Sequence, residues 1–140
     1  MRGVKLEGYT VNELDLSNEL QGPGQLDIES RTTFNVQYIK DTNRCVANCI
    51  IDLMKKDAPN EFNFKISIKG MFLYEEGMDR KLIHTETYDA LFPYIRLISA
   101  NVFVNAGMPP IPIQKVKMDT EKINVSGEGV VPPFQGGIPS

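Results

Sequence analysis

Tryptophan is absent from the 140-residue chain, histidine occurs once, at His84, and cysteine twice, at Cys45 and Cys49. One imidazole and two thiols fall short of the ligand set a structural zinc needs, and they build no disulfide framework. If the two cysteines share a strand, their Cα atoms stand about 13 Å apart, beyond the roughly 7 Å a disulfide spans, so they read as small buried hydrophobes. Nucleophilic catalysis of the Ser-His-Asp or Cys-His kind has only His84 to draw on. The adjacent carboxylates Glu75 and Glu76 would point to opposite faces of a strand rather than share a site. There is no phosphate-cradling glycine motif. No apolar run nears the ~20 residues that span a bilayer, and the stretch from Met1 to Glu7 lacks the apolar core of a secretory signal. These absences lead to the expectation of a cytoplasmic protein that is not an enzyme, holds no metal or cofactor and does not insert into membranes.

Charge of one sign is also scarce. The formal net charge is −3, and residues 1–29 hold two basic side chains against six acidic ones, so the acidity is N-terminal. Elsewhere lysine and arginine are scattered, without the basic stripe that a phosphate backbone requires, and nucleic acid is not an expected partner. What is present is ordinary for one folded domain: 41% apolar and 24% charged residues, enough to bury roughly two-thirds of the unfolded surface. Residues 1–126 read as that domain. Residues 127–140, GEGVVPPFQGGIPS, read as a Gly/Pro-rich disordered tail.

Val4 to Val11 has the look of a short strand, and the polar stretch from Asn12 to Gln25 that of a loop, with Gly22-Pro23-Gly24 as a turn signal. From Thr32 to Lys40, Phe34, Val36 and Tyr38 alternate with Asn35 and Gln37, the period of a half-buried strand. Asp41-Thr42-Asn43 supplies a hairpin turn. Arg44 to Met54 carries Cys45, Ala47, Cys49, Ile51 and Leu53 on one face, with Val46 and Ile50 apolar on the other, which suits a central strand. Phe62, Phe64, Ile66 and Ile68 alternate with Asn63, Lys65, Ser67 and Lys69. Gly70 then predicts a bulge or a close backbone approach before Met71 to Tyr74. After Glu86 the period changes. Tyr88, Leu91, Ile95, Ile98 and Val102 predict a helix running to about Ala106, capped by Thr87 or Asp89, with Pro93 near its first turn and Gly107 as its stop. Met108 to Ile113 is too proline-rich to be helical, and Lys122 to Ser126 could add a short strand.

The apolar side chains exceed what one helix on one sheet face needs. Val46 and Ile50, Phe92 and Phe103 off the main helical stripe, and the Met108–Ile113 stretch are the surplus. Such a surplus marks an oligomer interface or a binding groove, and the residues alone leave both open.

The run Asp89-Ala-Leu-Phe-Pro-Tyr-Ile-Arg-Leu-Ile-Ser99, followed by Gly107-Met-Pro-Pro-Ile-Pro-Ile113, resembles the SecB-type protein-export chaperones, and its most specific piece is Leu91-Phe92-Pro93-Tyr94 with Arg96. The upstream hydrophobic runs fall in the family's order, and the resemblance covers roughly Thr33 to Met118. It implies an α+β fold, a four-stranded antiparallel sheet packed with one long helix, assembled as a homotetramer that is a dimer of dimers. It also implies an ATP-independent holdase whose partners are unfolded polypeptides, either preproteins or an antitoxin, together with the translocase motor ATPase. By position, Phe34, Tyr38, Phe72, Tyr74, Met108, Pro110 and Ile111 would form the client groove, and Ile95, Arg96, Ile98 and Val102 the oligomer interface. This chain departs from the family in three places. Lys115 to Asn124 shows no helical stripe for the family's second helix. Lys65 and Lys69 stand on a sheet face where the family has carboxylates, leaving Glu13, Asp15 and Glu19 as the motor-binding candidates. The tail differs from the family's motor-binding tail. The alternatives are a SecB-like chaperone dedicated to one partner such as an antitoxin, and a ligand-binding oligomer on the same fold.

Overall fold

The computed structural model describes residues 3–20, 27–108, 111–113 and 115. Its centre is the pair of strands with the strictest alternation. In β3 (Arg44–Lys55) every second residue from Cys45 to Leu53 is fully buried. In β4 (Phe62–Tyr74) the same holds for Phe62, Phe64, Ile66, Ile68, Gly70 and Phe72. The two strands pair antiparallel with these sets in register, Cys45 opposite Phe72 and Leu53 opposite Phe64, so one face of the sheet is apolar across both. The edge strand β2 (Ile28–Tyr38) joins β3, with Phe34 opposite Cys49 and Tyr38 opposite Cys45. The other edge strand, β1 (Val4–Asn18), joins β4, giving the antiparallel order β1-β4-β3-β2.

β1 is longer than the sequence predicts: it runs through Asn18, where a loop from Asn12 is expected. Its register against β4 slips between Leu6 and Gly8 and again between Val11 and Glu13. Each slip leaves one residue, Glu7 or Asn12, without an opposite number, as in a β-bulge. The row facing the helix is therefore Val4, Leu6, Tyr9, Val11, Leu14 and Leu16, spaced by two, three, two, three and two. The expected strand passes the first bulge and is lost at the second, where Asn12 breaks the alternation. Gly70 makes no bulge of its own; β4 is continuous there, and the glycine serves the close approach. A Cβ at Gly70 would stand 2.9 Å from Leu91 Cδ1 and 3.0 Å from Phe72 Cε1.

One long helix, α1 (Arg80–Asn105), crosses the apolar face. It begins well before the expected Thr87 or Asp89, with Asp79 in extended conformation at its N-cap. The first turns escape a hydrophobic-stripe reading because their buried positions include His84 and Thr87, polar residue types. Thr87 caps nothing: its hydroxyl donates back to the Ile83 carbonyl at 2.8 Å. Pro93 consequently lies in the middle of the helix rather than near its first turn. It faces solvent, as does Asp89, whose carbonyl loses its helical donor, so water can take the place of the missing N–H. Phe92 and Phe103, expected off the main stripe, are both in the core. The Phe103 ring packs 4.8 Å from Phe64 and 6.4 Å from Phe62, and Phe92 lies 5.6 Å from Tyr88. At the other end, Phe34 meets His84 and Tyr88 edge-on at 5.0 and 5.2 Å.

Gly107, at φ 80°, ends the helix as expected. The chain then turns back along one flank of α1. The Met108 N–H donates to the Phe103 carbonyl at 2.9 Å, Arg96 Nη2 donates to the Ile113 carbonyl at 3.3 Å, and Lys115 Nζ lies 2.7 Å from Asp89 Oδ1. Ile113 is buried by this return, and Met108 and Ile111 are half-buried against the core. Pro110, the Lys122–Ser126 strand, the presence of a second helix beyond Lys115 and the 127–140 tail lie outside the described residues.

Two measurements test this packing. Phe103→Ala should cost about 3–5 kcal/mol in urea unfolding; a loss under about 1 kcal/mol would mean that the C-terminal half of α1 is not docked on Phe62 and Phe64. Burial holds the His84 pKa below its usual 6.5, so the fold favours the neutral ring. His84 therefore contributes full stability above the unfolded pKa and loses it as pH falls from there toward the folded value. The urea midpoint should decline between about pH 7.5 and 5.5, above the carboxylate range, and His84→Leu should flatten that decline.

Candidate functional site

The two flanks of α1 are treated differently. On the flank bearing Asp89 and Arg96 the returning chain bonds both residues, through the Ile113 carbonyl and Lys115. The flank toward β1 is left open. There Tyr94 meets Tyr9, and Tyr9 and Leu14 stand on the helix-facing row of β1, while Leu97 and Val104 lie further round α1 on its exposed side. These five side chains are between 39% and 60% exposed, with Leu97 the most exposed. Tyr9 and Tyr94 bridge the seam, their ring centroids 5.0 Å apart. Val11, Leu16, Ile98 and Val102, half-buried against the core, form its floor. An apolar patch thus centres on Tyr9 and Tyr94 at the seam of α1 and β1 and continues onto the exposed side of the helix through Leu97 and Val104, beside a sheet edge whose strand carries two bulges. It can bury an apolar chain segment, and it offers no reactive group.

The residues expected to be functional fall in different surroundings. Phe72 and Ile95 are wholly buried in the chain's own core; Phe72 lies opposite Cys45 beneath the helix, and Ile95 belongs to the helix's inward stripe. Neither presents a side chain at the surface. Tyr38 is buried and Tyr74 half-buried, their rings in T-shaped contact at 5.9 Å. Phe34 is half-buried as a wall of the core. Ile98 and Val102 face the open seam, while Arg96 holds the return segment, its guanidinium 4.9 Å over the Phe92 ring. Met108 and Ile111 lie with that segment rather than at the seam.

Glu13 and Asp15 lie on the sheet's outer face beside Lys65. Glu13 Oε1 is 3.4 Å from Lys65 Nζ, Asp15 is the register partner of Lys65, and Glu19 follows the strand. That face mixes signs.

Sequence reasoning missed Tyr9, Leu14, Leu97 and Val104. Leu14 is hidden by the second bulge. On the helix Tyr94, Leu97 and Val104 form no unbroken stripe, because Asn101 interrupts their spacing, and the stronger inward stripe overshadows them. Burial pushes the thiols of Cys45 and Cys49 up to about 12, so both are protonated and enclosed. Among the described residues no three His, Cys, Asp or Glu side chains are grouped to hold a metal, and no helix is long and apolar enough to cross a membrane.

No protein-family model matches the chain, and no curated protein matches it in sequence. Among solved structures it is similar to the Mycobacterium tuberculosis Rv1957 SecB-like chaperone in complex with a ChAD peptide from the Rv1956 HigA1 antitoxin. That likeness has a TM-score of 0.63 at 14% identity, over 82% of this chain and 88% of the other. It also matches a Streptococcus agalactiae protein of unknown function, with a TM-score of 0.43 at 12% identity, over 79% and 96% of the two chains. At such identities the first likeness is one of architecture: the chain has a SecB-like α+β fold, a four-stranded antiparallel sheet carrying one long helix.

Proposed function

We propose that this chain is an ATP-independent holdase, acting in the cytoplasm, that binds unfolded segments of polypeptide along the seam of α1 and β1. The observation that carries the reading is the group of exposed apolar side chains Tyr9, Leu14, Tyr94, Leu97 and Val104 on and beside the seam. Removing one such leucine from water is worth about 1.5–3 kcal/mol. Contacts of this kind are non-directional, so they tolerate many client sequences. The neighbouring β1 edge can add backbone hydrogen bonds to an extended segment.

A client dedicated to this chaperone, such as an antitoxin, suits it better than general delivery to an export motor. The SecB-like chaperone of the same fold is seen with an antitoxin peptide. The acidic residues that would dock a motor ATPase, Glu13 and Asp15, lie beside Lys65 rather than forming a surface of one sign. Assembly as a dimer of dimers is part of the proposal. In this reading assembly uses a surface other than the strip, and the two roles separate by experiment.

A denatured client diluted into buffer without ATP should scatter less light when the chain is present in stoichiometric amount. Unchanged scattering would sink the reading. Leu97→Asp combined with Tyr94→Asp should abolish the suppression while the particle mass, from chromatography with light scattering, stays that of the unaltered chain. A fall in mass instead would make the strip an interface between copies. Phe72→Asp is no test of binding, since a charge at that buried position unfolds the chain.

A further inference from the structure

Val46 and Ile50 stand on the side of β3 that α1 does not cover, and neither the core nor the seam uses them. With Met71 of β4, the register partner of Val46, they form a half-buried apolar centre on the outer face of the sheet. Ser67, the register partner of Ile50, sets a small side chain beside it. Next to this centre four charged residues fall in one register row. Arg31 of β2 stands opposite Asp52 of β3, Asp52 opposite Lys65 of β4, and Lys65 opposite Asp15 of β1, so the signs alternate across all four strands. Lys65 also reaches sideways to Glu13, at 3.4 Å, and at one end of the face Arg44 holds Glu7, at 3.0 Å.

A row of alternating sign is complementary to its own reverse. A two-fold axis parallel to the strands, between β3 and β4 and midway between two copies, lays β3 of one copy over β4 of the other and β2 over β1, so that every contact forms twice. Asp52 then meets the second copy's Lys65, and Arg31 meets its Asp15. Val46 comes over Met71, and Ile50 over Ser67, large side chain over small. The other charges of the face meet no like charge: Lys69 comes over Asn48, Glu13 over Thr33, Glu29 over Ser17, and Arg44 with its Glu7 over Leu73, while Lys5 lies at the rim. With β3 laid over β3 at the same row, Asp52 would face Asp52 and Lys65 would face Lys65. Four strands of about eleven residues present about 700 Å², close to the ~800 Å² per partner of a stable interface. Sheets packed face to face keep their strands within about 30° of one another, so the rows near the centre hold this pairing.

We propose that the outer face of the sheet is an interface with a second copy of this chain, related by that two-fold, with Val46, Ile50 and Met71 at its centre and the Arg31-Asp52-Lys65-Asp15 row fixing its orientation. The signs balance across the face, which suits a copy of itself better than a partner of uniform charge. The inference rests on the assembly in the proposed function, to which it gives a surface on the side of the sheet opposite the seam, and it does not depend on client binding.

The test is particle mass, from chromatography with light scattering on the full chain at micromolar concentration. The unaltered chain should run as an even number of copies. Asp52→Lys and Lys65→Asp should each weaken the interface roughly tenfold or more, since each sets two pairs of like charges against one another, and the mass should fall to half. An equimolar mixture of the two variants should recover the full mass, because in the mixed pair both central contacts are again of opposite sign. Repulsion inside one chain would persist on mixing, so recovery separates contact between copies from a charge ladder within the sheet. Arg31→Asp mixed with Asp15→Arg, at exposed edge-strand positions, repeats the test should a central variant lower the unfolding midpoint. An unaltered chain that runs as a single copy, a mass that neither central variant lowers, or masses that stay low on mixing would overturn the proposal. Both central variants should still suppress client aggregation, because the seam lies on the other face. Suppression by a single copy would fail the interface alone; masses that behave as expected while aggregation proceeds with the unaltered chain would fail the holdase reading alone.

Discussion

A single helix about 10–12 Å across cannot cover a sheet of four strands whose outermost backbones stand about 14 Å apart before side chains are added. The rest of this structure follows from that mismatch. α1 crosses the face diagonally, from Tyr38 of β2 at its first turn to Phe62 and Phe64 of β4 at its last, and comes closest where Gly70 lets Leu91 down onto the sheet. Two apolar areas remain beside it. One is closed by the chain itself, through the 108–115 return pinned to Phe103, Arg96 and Asp89. The other, along β1, is left open.

The side that is left open is also the side built from the least regular strand. β1 needs two bulges to keep Val4 through Leu16 facing the helix, and each bulge strengthens the local twist and bends the strand. Bulges also protect a sheet edge from unselective pairing. The first bulge places Glu7 where its carboxylate meets Arg44, at 3.0 Å, on the far side of β4. Such exposed pairs add little stability, but here and at Glu13 with Lys65 they leave an outer face of mixed sign. The surface fit for binding apolar chain is therefore on the helix side, and the outer face has no dominant charge with which to attract a partner.

Along α1 the chemistry changes from one end to the other. Its start sets Arg80 over the Tyr38 ring, its middle carries Asp89 and Arg96 on one flank and Tyr94 on the other, and its last turns expose Val104. Polar groups at such a surface discriminate between partners more than they add affinity, while apolar burial does the reverse.

The sequence by itself determined the sheet's centre and the latter half of the helix. β3 and β4 are legible because their alternation is unbroken and both rows are chemically distinct, and Gly107 marks the end of α1 because only a residue free to take positive φ suits that position. The Leu91-Phe92-Pro93-Tyr94 run was enough to point to the fold, even though it misplaced Pro93 within the helix. The tertiary structure alone decided three things. It extended β1, because bulges break the period on which a strand is recognised. It carried α1 back to Arg80, because burial of His84 and Thr87 depends on Phe34 and a back-bonded hydroxyl rather than on apolar residue type. And it sorted Phe72 and Ile95 inward and Tyr94 and Leu97 outward, because apolar side chains are alike in sequence, and only the position of the sheet, the return segment and the open flank determines which of them water reaches.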